Sequence, residues 1–224
     1  MIKTVLIDVD NTLLDFNKSA CLATKKAMAY YNLPFREEDF SKFIEINDGL
    51  WRDIEKGKLT REQLKAKRFN LILSAWGIDF DGVKVEEKFR QYLKDCAVTV
   101  DGAIELLEYL TYKYDVYVVS NAIHAMQQNR LKVSGIHKYF KDFFVSELIG
   151  ADKPSKEFFD RCFNRLKTSR EETILIGDSL SADILGGINS NIKTIWFDYN
   201  NTGDTKGLKP DYIVTKLVDV KDIL

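Results

Sequence analysis

The strongest constraint on how this chain can fold is a rhythm of short apolar runs. Thr4-Val5-Leu6-Ile7 is the first, and Val116-Tyr117-Val118-Val119, Phe143-Phe144-Val145, Thr173-Ile174-Leu175-Ile176 and Thr194-Ile195-Trp196-Phe197 follow late in the sequence. Tyr212-Ile213-Val214 is a weaker sixth. Each is rich in β-branched or aromatic residues and too short for a helix, so each reads as a buried strand. Helical patterns lie between them. Asp101 is expected to cap a helix with Ile104, Leu107 and Leu110 on one face, and 156–166 and 182–188 read as further helices. Strands alternating with helices predict an α/β fold: a Rossmann-like, three-layer core with a parallel sheet between helices.

The stretch from about Asn17 to Ala97 breaks the rhythm. It offers no strand, only helical periodicity. Phe40, Phe43, Ile44, Asn47, Leu50, Trp51 and Ile54 recur at helical spacing, and Val85, Phe89, Tyr92 and Cys96 form another stripe. Thr60 and Gln63 make a capping box ahead of Leu64, Phe69, Leu71 and Ile72. Four helices are expected here, inserted directly after the first strand. The predicted division is a discontinuous core, 1–16 and 98–224, and an all-α four-helix cap, 17–97.

The chain has 224 residues, with 33 Lys and Arg against 34 Asp and Glu. A formal net charge of -1 argues against a strongly basic nucleic-acid binder or a polybasic membrane-surface protein. No stretch approaches the roughly 20 apolar residues of a membrane span. Cys21, Cys96 and Cys162 are scattered and form no CxxC pair, so neither a disulfide framework nor a zinc site is indicated. The first residues do not have the form of a signal peptide. The expectation is a cytoplasmic protein with no nucleic-acid or membrane partner.

The first strand ends in Asp8 and Asp10, two acids separated by Val9. In extended chain they would share a face. Two acids closing an apolar strand are costly to bury without a cation, which favours a hard metal such as Mg²⁺. They read equally well as two solvated acids opening a turn. Other strand ends carry chemistry that is weak when taken singly. Ser120 and Asn121 offer a hydroxyl and backbone N–H groups of the kind that hold phosphate oxygens. Lys153 precedes Pro154, which is expected to open a helix, and could place a point charge on a phosphate. Gly177-Asp178 and Asp183 bring two more acids, readable as metal ligand and support, or as an N-cap and an acid in a first helical turn.

Taken jointly, the blocks DVDNT, VVSNA, DKP and GDSLSAD, in that order at strand ends, resemble the haloacid dehalogenase-like hydrolase superfamily. The first and last blocks are specific, and the helical insert looks like that family's C1-type cap. Three segments, 47–57, 124–131 and 181–189, resemble more closely its bacterial pyrimidine 5'-nucleotidases. Ala122 stands where many of those relatives have glycine.

The resemblance implies a Mg²⁺-dependent phosphate-monoester hydrolase. It casts Asp8 as nucleophile, forming an aspartyl-phosphate, and Asp10 as the acid and base that serves leaving group and water. The metal would be held by the Asp8 carboxylate, the Asp10 carbonyl and Asp178, and the phosphoryl oxygens by Ser120, Asn121 and Lys153. Asp183 would support Lys153 or a metal-bound water, and Thr12 would fix the turn. The implied substrate is a small-molecule phosphate ester, a pyrimidine nucleoside monophosphate such as UMP, dUMP or dTMP, with a sugar phosphate or phosphoglycolate as the rival. Phe16, Asn47 and Trp51 are the candidates for base contact, although Trp51 also fits a core stripe. A phospho-accepting receiver switch is disfavoured because such domains are about half this length and lack the insert. Either a monomer or a homodimer is compatible with the sequence.

Overall fold

A computed structural model describes residues 1–224. The chain divides into two compact units, Met1–Asp15 with Val98–Leu224, and Phe16–Ala97. The division falls one residue before the expected one. Asp15 N–H donates to the Val98 carbonyl at 2.8 Å and so belongs to the first unit, whereas Phe16 already starts a helix.

The first unit opens with β1 (Thr4–Ile7), buried along its whole length. Beyond it the chain turns back through Asn11 in the left-handed region (φ 58°), with the N–H groups of Leu13 and Leu14 both on the Val9 carbonyl. The outgoing and returning segments then lie side by side. Leu14 bridges Thr99 in antiparallel fashion, and Val100 N–H donates to the Leu13 carbonyl at 2.9 Å. Tyr199 Oη donates to Asp15 Oδ2 at 2.7 Å and fastens the same place.

The second unit is helical: α1 (Phe16–Tyr30), α2 (Phe40–Glu55), α3 (Arg61–Ala75) and α4 (Gly82–Leu93). The Thr60–Gln63 capping box forms as the sequence predicts; such a cap contributes about 1 kcal/mol. Phe43, Phe69 and Phe89 meet at the centre with ring centroids 5.1–5.9 Å apart. Leu71 instead points outward, because Ile72 and Phe69 already fill the buried face of α3. Beside the aromatic centre lies a buried polar triad. Arg68 grips Glu86 through two bonds, 3.0 and 2.6 Å, and donates to Asn47 Oδ1 at 3.0 Å.

The remaining elements belong to the first unit. They are α5 (Ala103–Lys113), β2 (Asp115–Ser120), α6 (His124–Val133), β3 (Asp142–Val145), the single turn α7 (Ser146–Ile149) and α8 (Lys156–Phe163). β4 (Thr173–Gly177), the short α9 (Leu185–Asn189), β5 (Lys193–Phe197) and β6 (Tyr212–Val214) complete the fold. All six strands pair in parallel, in the order β3-β2-β1-β4-β5-β6. A parallel sheet must be covered on both faces. On one face Leu6, Val119, Phe144 and Leu175 pack against Phe158, Phe159 and Cys162 of α8. Val5 and Ile7 on the other face are fully buried as well.

Two local expectations give way. The residue that caps α5 is Gly102, not Asp101, because the chain enters that helix through φ 80°, which glycine adopts without strain. Ile104 is then exposed, and Leu106, Leu107 and Leu110 form the buried face. Pro154 does not open a helix either. Ser155 caps α8, its hydroxyl accepting from Phe158 N–H. No helix is long and apolar enough to cross a membrane.

Candidate active site

Strand register assembles the centre of the first unit. Ile7 lies level with Val118 of β2 and with Ile176 of β4. Asp8 therefore leaves β1 beside Val119 and Gly177, with Ser120 and Asp178 one residue further on. The Asp8 N–H extends the ladder by bonding the Ile176 carbonyl at 2.9 Å. Chemistry gathers here because three neighbouring parallel strands end within about two residues of one another in register.

Lys153 is the hub. It is 2% exposed, and its ammonium donates to Asp8 Oδ1 at 2.7 Å, Asp183 Oδ1 at 2.7 Å and the Val119 carbonyl at 2.9 Å. An ammonium has three hydrogens, and all three are placed. Lys153 is therefore a fixed positive charge at this point. Burial by itself pulls the Lys153 ammonium down, but the Asp183 and Asp8 carboxylates outweigh it and hold the group above the ordinary lysine value. Asn121 fixes the loop that delivers this lysine. Its amide nitrogen donates to the Lys153 carbonyl at 2.9 Å, and its Oδ1 accepts from the Lys153 N–H at 2.8 Å. The sequence offers Asn121 to a phosphate through its backbone N–H; its side chain is engaged with the Lys153 backbone.

Asp8, Asp178 and Asp183 each present a carboxylate oxygen, all within 4.8 Å of one another. Burial, then the neighbouring Asp183 and Asp10 charges, outweigh Lys153 and push Asp8 up to about 7. Asp178 is raised well above the usual carboxylate range by burial and by the Asp8 and Asp183 charges. Three acids facing one ammonium leave excess negative charge in a confined space. A cation relieves such a charge, and an all-oxygen donor set selects a hard one. The residues present thus fit Mg²⁺. Asp183 serves the cluster from behind, since Lys153 occupies its Oδ1 and the Ser179 N–H its Oδ2. That carboxylate fits only because residue 177 is glycine: a Cβ there would lie 2.3–2.6 Å from the Asp183 side chain.

Thr12 does more than shape a turn. Its hydroxyl reaches Asp178 Oδ1 at 3.3 Å and accepts from the Asp178 N–H at 3.1 Å. Trp196 of β5 donates its indole N–H to the Asp178 carbonyl at 2.8 Å. These contacts anchor Asp178 from both sides.

Beyond the end of β1, Asp10 forms an isolated bridge with Leu14. Its carboxylate faces α6, where Arg130 donates to Oδ1 and Gln127 donates to Oδ2 at 2.8 Å. Gln127 and Arg130 lie outside the strand-end motifs, and nothing in their local sequence marks them for this site. Gln127 also donates to Ser120 Oγ at 3.1 Å, and the Ala122 N–H donates to the same oxygen at 3.2 Å. With two donors on its oxygen, the Ser120 hydroxyl is left as a hydrogen-bond donor. That polarity suits an anion.

The three residues expected to touch a base all lie in the helical unit. Asn47 is 4% exposed and held by Arg68, so its side chain forms part of the buried triad. Trp51 packs against the Leu50, Ile54 and Leu64 cluster. Phe16 is half-buried at the first position of α1.

The fold and this cluster have known counterparts. The chain matches the family described as haloacid dehalogenase-like hydrolase over residues 5–197, and it belongs to that family. Among its relatives is the pyrimidine 5'-nucleotidase PynA of Streptococcus pneumoniae, 33% identical over 99% of this chain and 94% of that one. The pyrimidine 5'-nucleotidase YjjG of Escherichia coli is 28% identical over 98% of this chain and 96% of that one. A crystal structure of the HAD-hydrolase YfnB of Bacillus subtilis, bound to magnesium, superimposes with a TM-score of 0.93. That protein is 38% identical, with 100% of this chain and 98% of its own covered.

A thermal shift tests the cation fit. Saturating Mg²⁺, at about 100 times its Kd, adds about 2.7 kcal/mol to a protein that binds it only when folded. For a chain of this size that raises Tm by about 5–10 °C. Asp178→Asn should erase most of the rise; an undiminished rise would remove Asp178 from the metal site.

Proposed function

We propose that this enzyme is a 5'-nucleotidase that hydrolyses pyrimidine nucleoside monophosphates through an aspartyl-phosphate on Asp8. The observation that carries the reading is the separate housing of two acids at one strand end. Asp8 lies on the Lys153 ammonium, whereas Asp10 is held by Gln127 and Arg130. A nucleophile and a proton carrier need different surroundings, and here they have them. The names of the PynA and YjjG relatives support the substrate class.

In this reading a carboxylate oxygen of Asp8 attacks phosphorus, and the bond from phosphorus to the ribose oxygen breaks. Asp10 gives its proton to that oxygen, which leaves as the nucleoside hydroxyl. Asp10 then takes a proton from water as the water oxygen attacks phosphorus. The bond between phosphorus and Asp8 breaks, releasing inorganic phosphate and returning both acids to their first states. Lys153 offsets charge on the phosphoryl group, and the Ser120 hydroxyl donates to one of its oxygens. Mg²⁺, held by Asp8, Asp178 and the Asp10 carbonyl, supplies further charge neutralisation when bound.

The substrate reading is checked by kcat/KM for dUMP, UMP, dTMP, AMP and a sugar phosphate, measured with excess Mg²⁺. The pyrimidine nucleotides should lead by about tenfold or more, within the range that a shaped pocket gives. A lead for AMP or for the sugar phosphate would overturn the pyrimidine reading and leave the hydrolytic chemistry standing.

A further inference from the structure

Gln127 and Arg130 sit one helical turn apart on α6, and both are almost fully buried, at 0% and 2% exposure. A buried guanidinium and a buried amide are expensive unless their hydrogen bonds are directed. Here one donor from each converges on one carboxylate. Arg130 meets Asp10 Oδ1, Gln127 meets Asp10 Oδ2 at 2.8 Å, and Arg130 also donates to Gln127 Oε1 at 3.2 Å. The last contact fixes the orientation of the amide. Arginine can only donate, so Gln127 must turn its oxygen to Arg130 and its two N–H groups to Asp10 and Ser120. The Asp10 side chain is about one-third exposed, at 31%. A carboxylate in such a turn would sample several rotamers; two donors rising from one rigid helix leave it one.

We infer that Gln127 and Arg130 are positioning residues that hold Asp10 at the angle from which it passes a proton to the leaving oxygen and takes one from water. The pair also links the proton carrier to the phosphate side, because the Gln127 amide group that holds Asp10 sets the polarity of Ser120. This inference rests on the hydrolytic reading above and extends it to residues outside the strand-end motifs. A helix, not the strand-end loop, aims the acid.

The test uses a leaving group that needs no proton. p-Nitrophenolate departs unaided, whereas a nucleoside hydroxyl must be protonated as it leaves. In rapid-quench experiments with excess Mg²⁺, wild type should turn over both p-nitrophenyl phosphate and dUMP. Gln127→Met keeps most of the volume but loses both donors without adding a charge, and Arg130→Met removes the guanidinium. Each variant should release p-nitrophenol in a first-turnover burst near one equivalent, followed by a steady rate lower by ~100-fold, the usual scale of a lost general acid–base contribution. Neither variant should show a burst of deoxyuridine. Arg130→Lys, which keeps a charge and most of the volume, should recover part of the rate and stays informative if Arg130→Met does not fold. A variant that slows the first release of both leaving groups equally, or slows neither, overturns the inference. A wild type that hydrolyses neither ester overturns the functional reading instead.

Discussion

Asp8→Asn leaves a folded protein without turnover. Asparagine fills the same space and still accepts from Lys153, but its amide cannot form the acyl-phosphate that the two-step route requires. The expected fall in kcat is on the order of 10⁴-fold or more, the scale seen when a covalent nucleophile is removed. Stability should move the other way. An acid whose folded value is raised, here to about 7 from 3.8, contributes stability at low pH that is lost as pH climbs through the folded value. At pH 8 the ionised Asp8 is therefore a burden on the metal-free fold, and a neutral isostere lifts it. In EDTA at pH 8 the variant should melt no lower than wild type. Retained phosphatase activity with an intact melt would remove Asp8 from the nucleophile role.

Lys153→Met should damage fold and function together. The side chain is buried, and its loss strands the Asp8 and Asp183 carboxylates without their shared counter-ion. Breaking a buried pair from one side costs about 3–5 kcal/mol. In a chain of this size that is a Tm drop on the order of 10 °C. The stability contributed by the raised ammonium is fully present below the ordinary lysine value of 10.5 and is lost as pH rises through the folded value, which is held higher still. Activity should fall on the order of 10³-fold, as when a preorganised electrostatic group is lost. The two effects are separable by assaying well below the new melting point. A melt within two or three degrees of wild type, by the same conversion, would contradict the hub role assigned to this lysine.

Much of the core was legible for a physical reason. Parallel strands buried on both faces must be apolar throughout, so β1 and β4 stand out as unbroken runs. Acids that interrupt such runs stand out as well, which is why Asp8, Asp10, Asp178 and Asp183 could be named from sequence. Lys153 could be named because the loop carrying it has a motif. The partners of these groups were not legible. Asn121 was recognisable as a strand-end amide, but nothing local says that the Lys153 backbone, 32 residues away, occupies it. Gln127 and Arg130 lie on a helix whose polar residues look like a solvated face. Only the folded chain shows that this face turns inward. In the helical unit, Asn47 sat on a core stripe and looked available for a ligand. Its buried bond to Arg68 comes from a helix further along the chain.

The paired segments where the chain leaves and re-enters the sheet unit carry one more consequence. Leu13 and Asp15 are hydrogen-bonded directly to Val100 and Val98, with Leu14 opposite Thr99 between them, so the two cut ends of this unit are already stitched together. Whatever is threaded between residues 15 and 98 begins and finishes at a single point. Such a junction behaves as a socket. With its ends already joined, the intervening chain can be lengthened or shortened with little loop-closure penalty to the sheet unit. The sheet unit and the helical unit are thereby separable in the covalent structure, and substitutions can accumulate in one independently of the other.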